Sequence, residues 1–345
     1  MGINKIYNED CLEGMKGIAD GSIDLHRRNH MNVLSLFDGI SCGQLALQRA
    51  EVKVDKYFAS EIDKYAIKVT QENFPETVQL GDVTKWETWE LPNIDLLIGG
   101  SPCQGFSFAG KQLNFSDPRS KLFFEYVKVL RKVKPKYFLL ENVKMKQEYQ
   151  DVISRYLGVE PIEINSSLVS AQNRKRLYWT NIPNVTQPED KGMLLKDIIE
   201  ADNGYCGVTY NKKENNVNNF FMDNINSIES KQKFGKESQS LSRALKSTRA
   251  LDEKSECLLA SMYKGPANNG ATNVIINDVF RMITPLECER LQTVPDNYTS
   301  CISNTQRYKC LGNGWTVDVI AHILGGVQMK TLEKLKESGE LCGDK

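Results

Sequence analysis

The chain has 345 residues, of which 40% are apolar and 26% charged, an ordinary globular composition that argues against a disordered or fibrous protein. At roughly 100–200 residues per domain, this length suits two units, or one α/β domain carrying a sizeable insertion. Lysine plus arginine equals aspartate plus glutamate at 44 each, which excludes a global basic field, so any nucleic-acid partner must be held by local patches.

No run approaches the roughly 18 uninterrupted apolar residues of a membrane span, and the first residues lack the apolar core of a signal peptide. The nine cysteines, at 11, 42, 103, 206, 257, 288, 301, 310 and 342, are scattered without zinc-ligand spacing. Together these features predict a cytoplasmic protein with no membrane partner, no disulfide framework and no metal.

Residues 1–30 read as a separate leader: a short strand, a helical stretch and a turn at Asp20-Gly21, broken by His26-Arg27-Arg28-Asn29-His30. A strand starts abruptly at Met31, which can itself serve as an initiator. From residue 32 to about 182 short apolar runs alternate with helical stretches: strands at 33–37, 57–59, 78–80, 94–98 and 137–140, helices at 43–50, 63–73 and 121–133. The last of these carries apolar residues at 122, 123, 126, 127, 130 and 133, one face of a helix, and Pro135 ends it. Short, wholly apolar strands separated by helices predict an α/β fold with a doubly wound, mostly parallel sheet. Residues 183–279 differ, being rich in Asn, Gly and Ser, with a short strand at 274–276 and six basic residues against one acid between Lys231 and Arg249. They read as a small irregular domain with a basic face. Regular patterning returns in 280–345, with helices at 285–293 and 317–329.

In a doubly wound sheet, ligands gather beyond the carboxyl ends of the strands. The unusual residues stand at those ends: Phe37-Asp38-Gly39 after the first strand, Glu61 after the second, Gly81-Asp82 after the third. Gly99-Gly100-Ser101-Pro102-Cys103-Gln104 follows the fourth, and Glu141-Asn142 the run at 137–140. A glycine turn followed by two carboxylates suits a nucleoside cofactor, because glycine lets the backbone approach and the acids accept from hydroxyl and amine groups. The absence of G-x-x-x-x-G-K-[ST] disfavours ATP. Cys103 sits in an elbow from which a nucleophile would project, provided that positive charge such as Arg174 or Arg176 lies near.

Taken in order, these residues resemble the DNA (cytosine-5) methyltransferases. The set runs Phe37-Asp38-Gly39, Gly43, Glu61, Asp82, Pro102-Cys103-Gln104, Glu141-Asn142-Val143, Gln172-Asn173-Arg174-Lys175-Arg176, Arg281, Thr284-Pro285, Glu287, Arg290-Leu291-Gln292, Pro295 and Gly312-Asn313-Gly314. Ser35-Leu36-Phe37-Asp38-Gly39 and Leu122-Phe123-Phe124-Glu125 are most similar to phage enzymes and the animal de novo methyltransferases. Ser35 replaces the common bacterial aspartate, Ser41-Cys42 interrupt the glycines, and Trp315 stands where many relatives carry a smaller residue.

The resemblance implies transfer of a methyl group from S-adenosylmethionine to C5 of a flipped-out cytosine in a short double-stranded DNA site. Cys103 would attack C6, Glu141 would protonate or hydrogen-bond N3 and the exocyclic amine, Arg176 would hold O2, and Arg174 would orient the pocket and lower the thiol pKa. Phe37 would stack on the cofactor adenine, Glu61 would take the ribose hydroxyls and Asp82 the adenine amine. Asp38, Gly39, Ile62, Val83, Pro102, Asn313 and Trp315 would complete the cofactor pocket. Gln104 and Ser107 would contact DNA from a loop, 104–119, that closes over the base. The resemblance also makes 183–279 the target-recognition domain and 31–182 with 280–345 the catalytic one. It leaves a cognate restriction endonuclease open and predicts a monomer.

The leader more faintly resembles the opening of the amino DNA methyltransferases, through Asn8-Glu9-Asp10-Cys11-Leu12-Glu13-Gly14-Met15 and Asp20-Gly21-Ser22-Ile23-Asp24-Leu25. Their [Asp/Asn]-Pro-Pro-aromatic motif is missing, so no catalysis is expected from it. A tRNA cytosine methyltransferase is disfavoured by the missing Cys-Phe-Thr segment, and a catalytically silent DNA-binding homologue by the retained nucleophile and glycines.

Overall fold

A computed structural model describes residues 30–102, 121–200, 243–244, 246–266, 271–276 and 279–337, with 279–280 and 328–337 as backbone only. Its frame is a seven-stranded sheet in the order β3-β2-β1-β4-β5-β7-β6. The strands are β1 (Met31–Leu36), β2 (Val54–Ser60), β3 (Val78–Gln79), β4 (Leu96–Gly99), β5 (Tyr137–Val143), β6 (Ile162–Asn165) and β7 (Lys175–Thr180). β7 alone runs against its neighbours; the pairs joining β1 to β2 and β4, β2 to β3 and β4 to β5 are all parallel. The expected doubly wound, mostly parallel sheet is therefore present.

Strand periodicity divides the core in two. Val33, Leu96, Ile98, Tyr137 and Leu139 face one side, and Leu34, Leu36, Leu97, Phe138 and Leu140 face the other, all buried. The first side is covered by α1 (Cys42–Arg49), α2 (Lys64–Asn73) and α7 (Val317–Glu337), the second by α3 (Lys121–Val133) and α4 (Gln147–Leu157). In α3 the apolar face supplies Phe123, Tyr126 and Val127, and the Tyr126 hydroxyl donates to the Leu139 carbonyl at 3.1 Å. The helix stops at Val133, where Lys134 turns left-handed ahead of Pro135.

A two-stranded pair, β8 (Asn273–Ile276) with β9 (Val279–Met282), leads into α5 (Pro285–Leu291), which Thr284 and Glu287 open as a reciprocal cap. Glu287, wholly buried, takes two hydrogen bonds from Arg281 at 2.7 and 2.8 Å. Next comes α6 (Asn304–Asn313), whose Arg307 donates to the buried Glu289 at 2.9 Å. The start of α7 is then anchored by Val317 N–H on the Gln292 carbonyl at 2.9 Å.

Several boundaries differ from the sequence reading. Phe37 lies outside β1 because its backbone is left-handed, and β4 begins at Leu96 rather than 94. β5 continues through Glu141-Asn142 to Val143, since antiparallel β7 offers a ladder that an isolated apolar run does not announce. α5 ends two residues early, with Thr293 left-handed, and α7 extends to Glu337. The sequence reading names no α4, β6, β7 or α6, although α4 carries Tyr149, Val152, Ile153, Tyr156 and Leu157 at helical spacing; β6 is short, β7 opens with Lys175-Arg176, and α6 reads as polar. The leader lies outside the described residues, as does most of the basic run 231–249.

Two adjacent glycines test how α7 docks. Gly325 has open space where a Cβ would sit, whereas one on Gly326 would lie 2.5 Å from the Pro183 carbonyl oxygen and 2.8 Å from Ile182 Cγ2. Gly325→Ala should raise the unfolding free energy by about 0.5–1 kcal/mol, by removing backbone entropy from a helix. Gly326→Ala should lower it by about 1–3 kcal/mol through overpacking. Urea unfolding of both variants checks the pair; changes of the same sign would show that α7 does not rest on the chain at 182–183.

Candidate active site

The carboxyl ends of β1, β2, β3 and β4 open on one rim. At β1 the chain turns through Phe37, Gly39 and Ser41, with φ of 59°, 60° and 57°. Gly39 has nothing within 4 Å of where a Cβ would stand, so its cradle faces open space. Its N–H donates to Glu61 Oε2 at 2.8 Å, while Glu61 Oε1 accepts from the N–H groups of Ile62 and Asp63 at 2.7 and 2.8 Å. The Glu61 carboxylate thus ties the turn after β1 to the one after β2. Ile62 beside it is 75% exposed, an unusual position for a large apolar side chain, and Phe37 is half-buried. After β3, Asp82 Oδ1 accepts from Thr84 N–H at 2.9 Å, opening the 3-10 turn Val83–Thr88 whose Val83 is buried. An aromatic ring, an exposed isoleucine and two carboxylates around a glycine turn fit a nucleoside: apolar walls for a base, acceptors for hydroxyl and amine groups.

Beneath the rim, Asp38 is buried and accepts from Tyr57 OH on β2 at 2.7 Å and from Ser41 Oγ. Burial pushes its carboxyl up to about 6, against the pull of the Ser35, Ser41 and Tyr57 hydroxyls; the nearby Glu61 charge adds to the rise.

The second half of the site stands at β5 and β7. Glu141 pairs with Tyr178 and Val143 with Arg176, so Glu141 and Arg176 are diagonal neighbours on one face of the sheet. Arg176 Nε meets Glu141 Oε1 at 2.9 Å, and Trp315 Nε1 donates to Glu141 Oε2 at 3.3 Å. Burial is the largest influence on Arg176 and opposes its charge, but the Glu141 carboxylate together with Cys257 and Tyr178 outweighs it and leaves the guanidinium pKa raised. Arg174 is turned elsewhere. It is 3% exposed, with Nη2 donating to the Gly314 carbonyl at 2.8 Å and Nη1 to the Leu258 carbonyl at 3.1 Å. Burial, then the Arg176 charge, push its pKa down.

Asn142 Nδ2 donates to the carbonyl and the hydroxyl of Ser101, at 3.4 Å each, bracing the turn that leaves β4 toward half-buried Pro102. Asn313, at the end of α6, is exposed. Cys103, Gln104 and Ser107 lie outside the described residues. Among the described cysteines, burial pushes the thiols of Cys42 and Cys310 up to about 12, which leaves both inert.

Two residues of the site have no place among the candidates read from the sequence. Cys257 Sγ accepts from Arg174 Nη1 at 3.4 Å and from Arg176 Nη2 at 3.7 Å, and Tyr57 supplies the hydroxyl under Asp38. Cys257 sits in an irregular stretch that carries no local signal. Tyr57 was legible only as a strand residue.

The Asp38 burial has a measurable sign. Its folded pKa lies above the unfolded value of 3.8, so its contribution to stability is fully present below about 4 and is lost as the pH rises through about 6. The displacement corresponds to about 3 kcal/mol. Asp38→Asn keeps the acceptor for Tyr57 and removes the charge. Its unfolding free energy relative to the unmodified protein should therefore climb by up to that amount (about 3 kcal/mol) between pH 4 and 7. A difference that stays flat in urea titrations across that range would exclude the buried carboxylate.

The comparisons agree with this geometry. A model of the C-5 cytosine-specific DNA methylases matches residues 31–153 and 165–328. The Type II methyltransferase M1.ScrFI of Lactococcus lactis subsp. cremoris is 32% identical over 335 residues, covering 88% of this chain and 79% of the relative. The Type II methyltransferase M.NlaX of Neisseria lactamica is 30% identical over 319 residues, covering 84% and 94%. In fold, the chain is similar to the Entamoeba histolytica methyltransferase EhMeth, with a TM-score of 0.65 at 18% identity over 88% of this chain and 99% of that one. Among the described residues no helix is long and apolar enough to cross a membrane. With the family model spanning both halves of the site, the chain belongs to the C-5 cytosine-specific DNA methylases and is a DNA (cytosine-5) methyltransferase.

Proposed function

We propose that the protein methylates C5 of a cytosine everted from a short specific site in double-stranded DNA, through a covalent bond between Cys103 Sγ and C6. The observation that carries this reading is the Glu141 carboxylate held between Arg176 and Trp315 at the end of β5, beside the β4 turn that leads into Pro102-Cys103. C5 of cytosine is a weak nucleophile and is buried in the stack, so the base must leave the duplex at a cost of a few kcal/mol. Addition of the thiolate to C6 places negative charge on the ring. Glu141, once protonated, would donate that proton to N3 and accept from the exocyclic amine, and Arg176 would donate to O2, so that together they offset that charge. With the methyl group that S-adenosylmethionine would supply placed on C5, loss of the C5 proton to a base expels the Cys103 thiolate by β-elimination and restores the aromatic ring.

S-adenosylmethionine, the cofactor implied by the family, supplies the electrophilic methyl group when bound. Phe37, Ile62 and Val83 would pack its adenine, Glu61 would accept from the ribose hydroxyls and Asp82 from the adenine amine. Asp38, Gly39, Pro102, Asn313 and Trp315 would line the remainder. Arg174 acts in this scheme as the pocket's anchor, since its guanidinium is held by the Leu258 and Gly314 carbonyls. Gln104 and Ser107 would approach the DNA as loop 104–119 closes. Residues 183–279 would read the target, and 31–182 with 280–345 would form the catalytic domain, the whole acting as a monomer in the cytoplasm. The Type II names of the relatives support a role in restriction-modification.

Methyl transfer from tritiated cofactor to unmethylated genomic DNA should vanish in Cys103→Ser while cofactor affinity stays near normal. Duplexes containing 5-fluorocytosine should trap the unmodified protein covalently, because fluorine blocks the final proton loss. Persistent transfer by the serine variant, or no adduct, would remove Cys103 as nucleophile. Glu141→Gln should lower the transfer rate about 10²-fold or more with cofactor affinity retained.

A further inference from the structure

We propose that Trp315 is a positioning residue for Glu141, acting through its indole N–H. This rests on the assignment of Glu141 as the group that meets the cytosine. Glu141 is anchored at both oxygens, Oε1 by the charged Arg176 Nε at 2.9 Å and Oε2 by the neutral Trp315 Nε1 at 3.3 Å. One anchor fixes a carboxylate's distance; two fix its plane. A carboxyl that must present one oxygen edge to N3 and the amine of a planar base needs that plane set beforehand.

The indole is itself held firmly. On one side of it the Gly314 carbonyl accepts from Arg174 Nη2 at 2.8 Å and from Gln292 Nε2 at 3.1 Å. On the other, the Thr316 hydroxyl donates to Gln292 Oε1 at 2.9 Å and accepts from Ser166 Oγ at 2.9 Å. The space for the ring comes from Gly100 at the end of β4, where a Cβ would lie 3.0 Å from Trp315 Nε1 and 3.1 Å from Glu141 Oε2. The two ends of the indole meet different neighbours. Its pyrrole N–H reaches Glu141, while Cζ3 of its benzo ring lies 3.7 Å from where a Cβ on Gly43 would stand, beside the turn after β1. Phenylalanine at this position removes the N–H and also shortens the ring on the Gly43 side, whereas histidine, a comparably short ring, carries an N–H; the difference between the two variants isolates the donor.

The test is single-turnover methyl transfer from tritiated S-adenosylmethionine to unmethylated genomic DNA, with affinity for S-adenosylhomocysteine measured by calorimetry. Trp315→Phe should lower the transfer rate about tenfold, while any loss of that affinity should be shared, within about threefold, by Trp315→His. Trp315→His, which restores a ring N–H, should recover most of the loss. In a Glu141→Ala background, Trp315→Phe should cost less than about twofold, because the oxygens it serves are gone. The proposal is overturned by a Phe variant within about twofold of the unmodified rate, by an equal loss in both backgrounds, or by a loss confined to cofactor affinity. Should the Phe variant not fold, the His variant decides: a rate within about threefold of the unmodified protein supports the proposal, and a tenfold loss overturns it. Failure of the underlying assignment looks different, since Glu141→Ala would then transfer methyl groups as fast as the unmodified protein.

Discussion

A guanidinium that neither loses its proton nor reaches water must be given oxygen atoms, and Arg174 draws them from distant parts of the chain. Its donors end on the carbonyls of Leu258 and Gly314, with the Gly312 carbonyl at 3.5 Å. Leaving such a buried charge without acceptors would cost several kcal/mol, so the three segments are obliged to meet. Gln172 strengthens the junction by donating to the Leu291 carbonyl at 3.1 Å and accepting from Leu258 N–H at 2.9 Å. Everything on the β5–β7 side of the pocket is arranged around this junction: Arg176 two residues on, Trp315 one residue past an accepted carbonyl, and Glu141 between them.

The opposite side of the pocket is built on a different economy. There the parallel strands end in turns whose amides are collected by one carboxylate, Glu61, and whose interior holds another, Asp38. Main-chain donors dominate there, side-chain cations at β5 and β7. The contrast suits two ligands of unlike character: one mostly apolar and hydroxylated, the other a pyrimidine acquiring negative charge during reaction. Gly100 and Trp315 stand where the two sides approach each other.

The apolar runs of the strands, such as Val33-Leu34, and the apolar face of α3 were legible because one local rule governs each: an uninterrupted apolar run for a strand buried on both faces, period 3.6 for a helix against it. The rim residues were equally legible, since strand ends and glycine turns are local features. What escaped was set by distant partners. Glu141 was expected beyond its strand and lies within it, because β7 supplies the ladder. Arg174 looked like a charge for the thiol, and its oxygens come from residues 84 and 140 positions away. No local pattern could join Trp315 to Glu141 across 174 positions.

Gly312 carries a consequence for exchange between relatives. A side chain there would sit 2.3 Å from the Ala260 nitrogen, so α6 and the strip at 258–260 touch main chain to main chain. An insert transplanted upstream of residue 255 leaves that footing in place. A graft whose seam cuts through 257–260 removes the floor on which the buried arginine stands, whatever sequence the new insert prefers. Diversification of the intervening region is thus constrained at its exit.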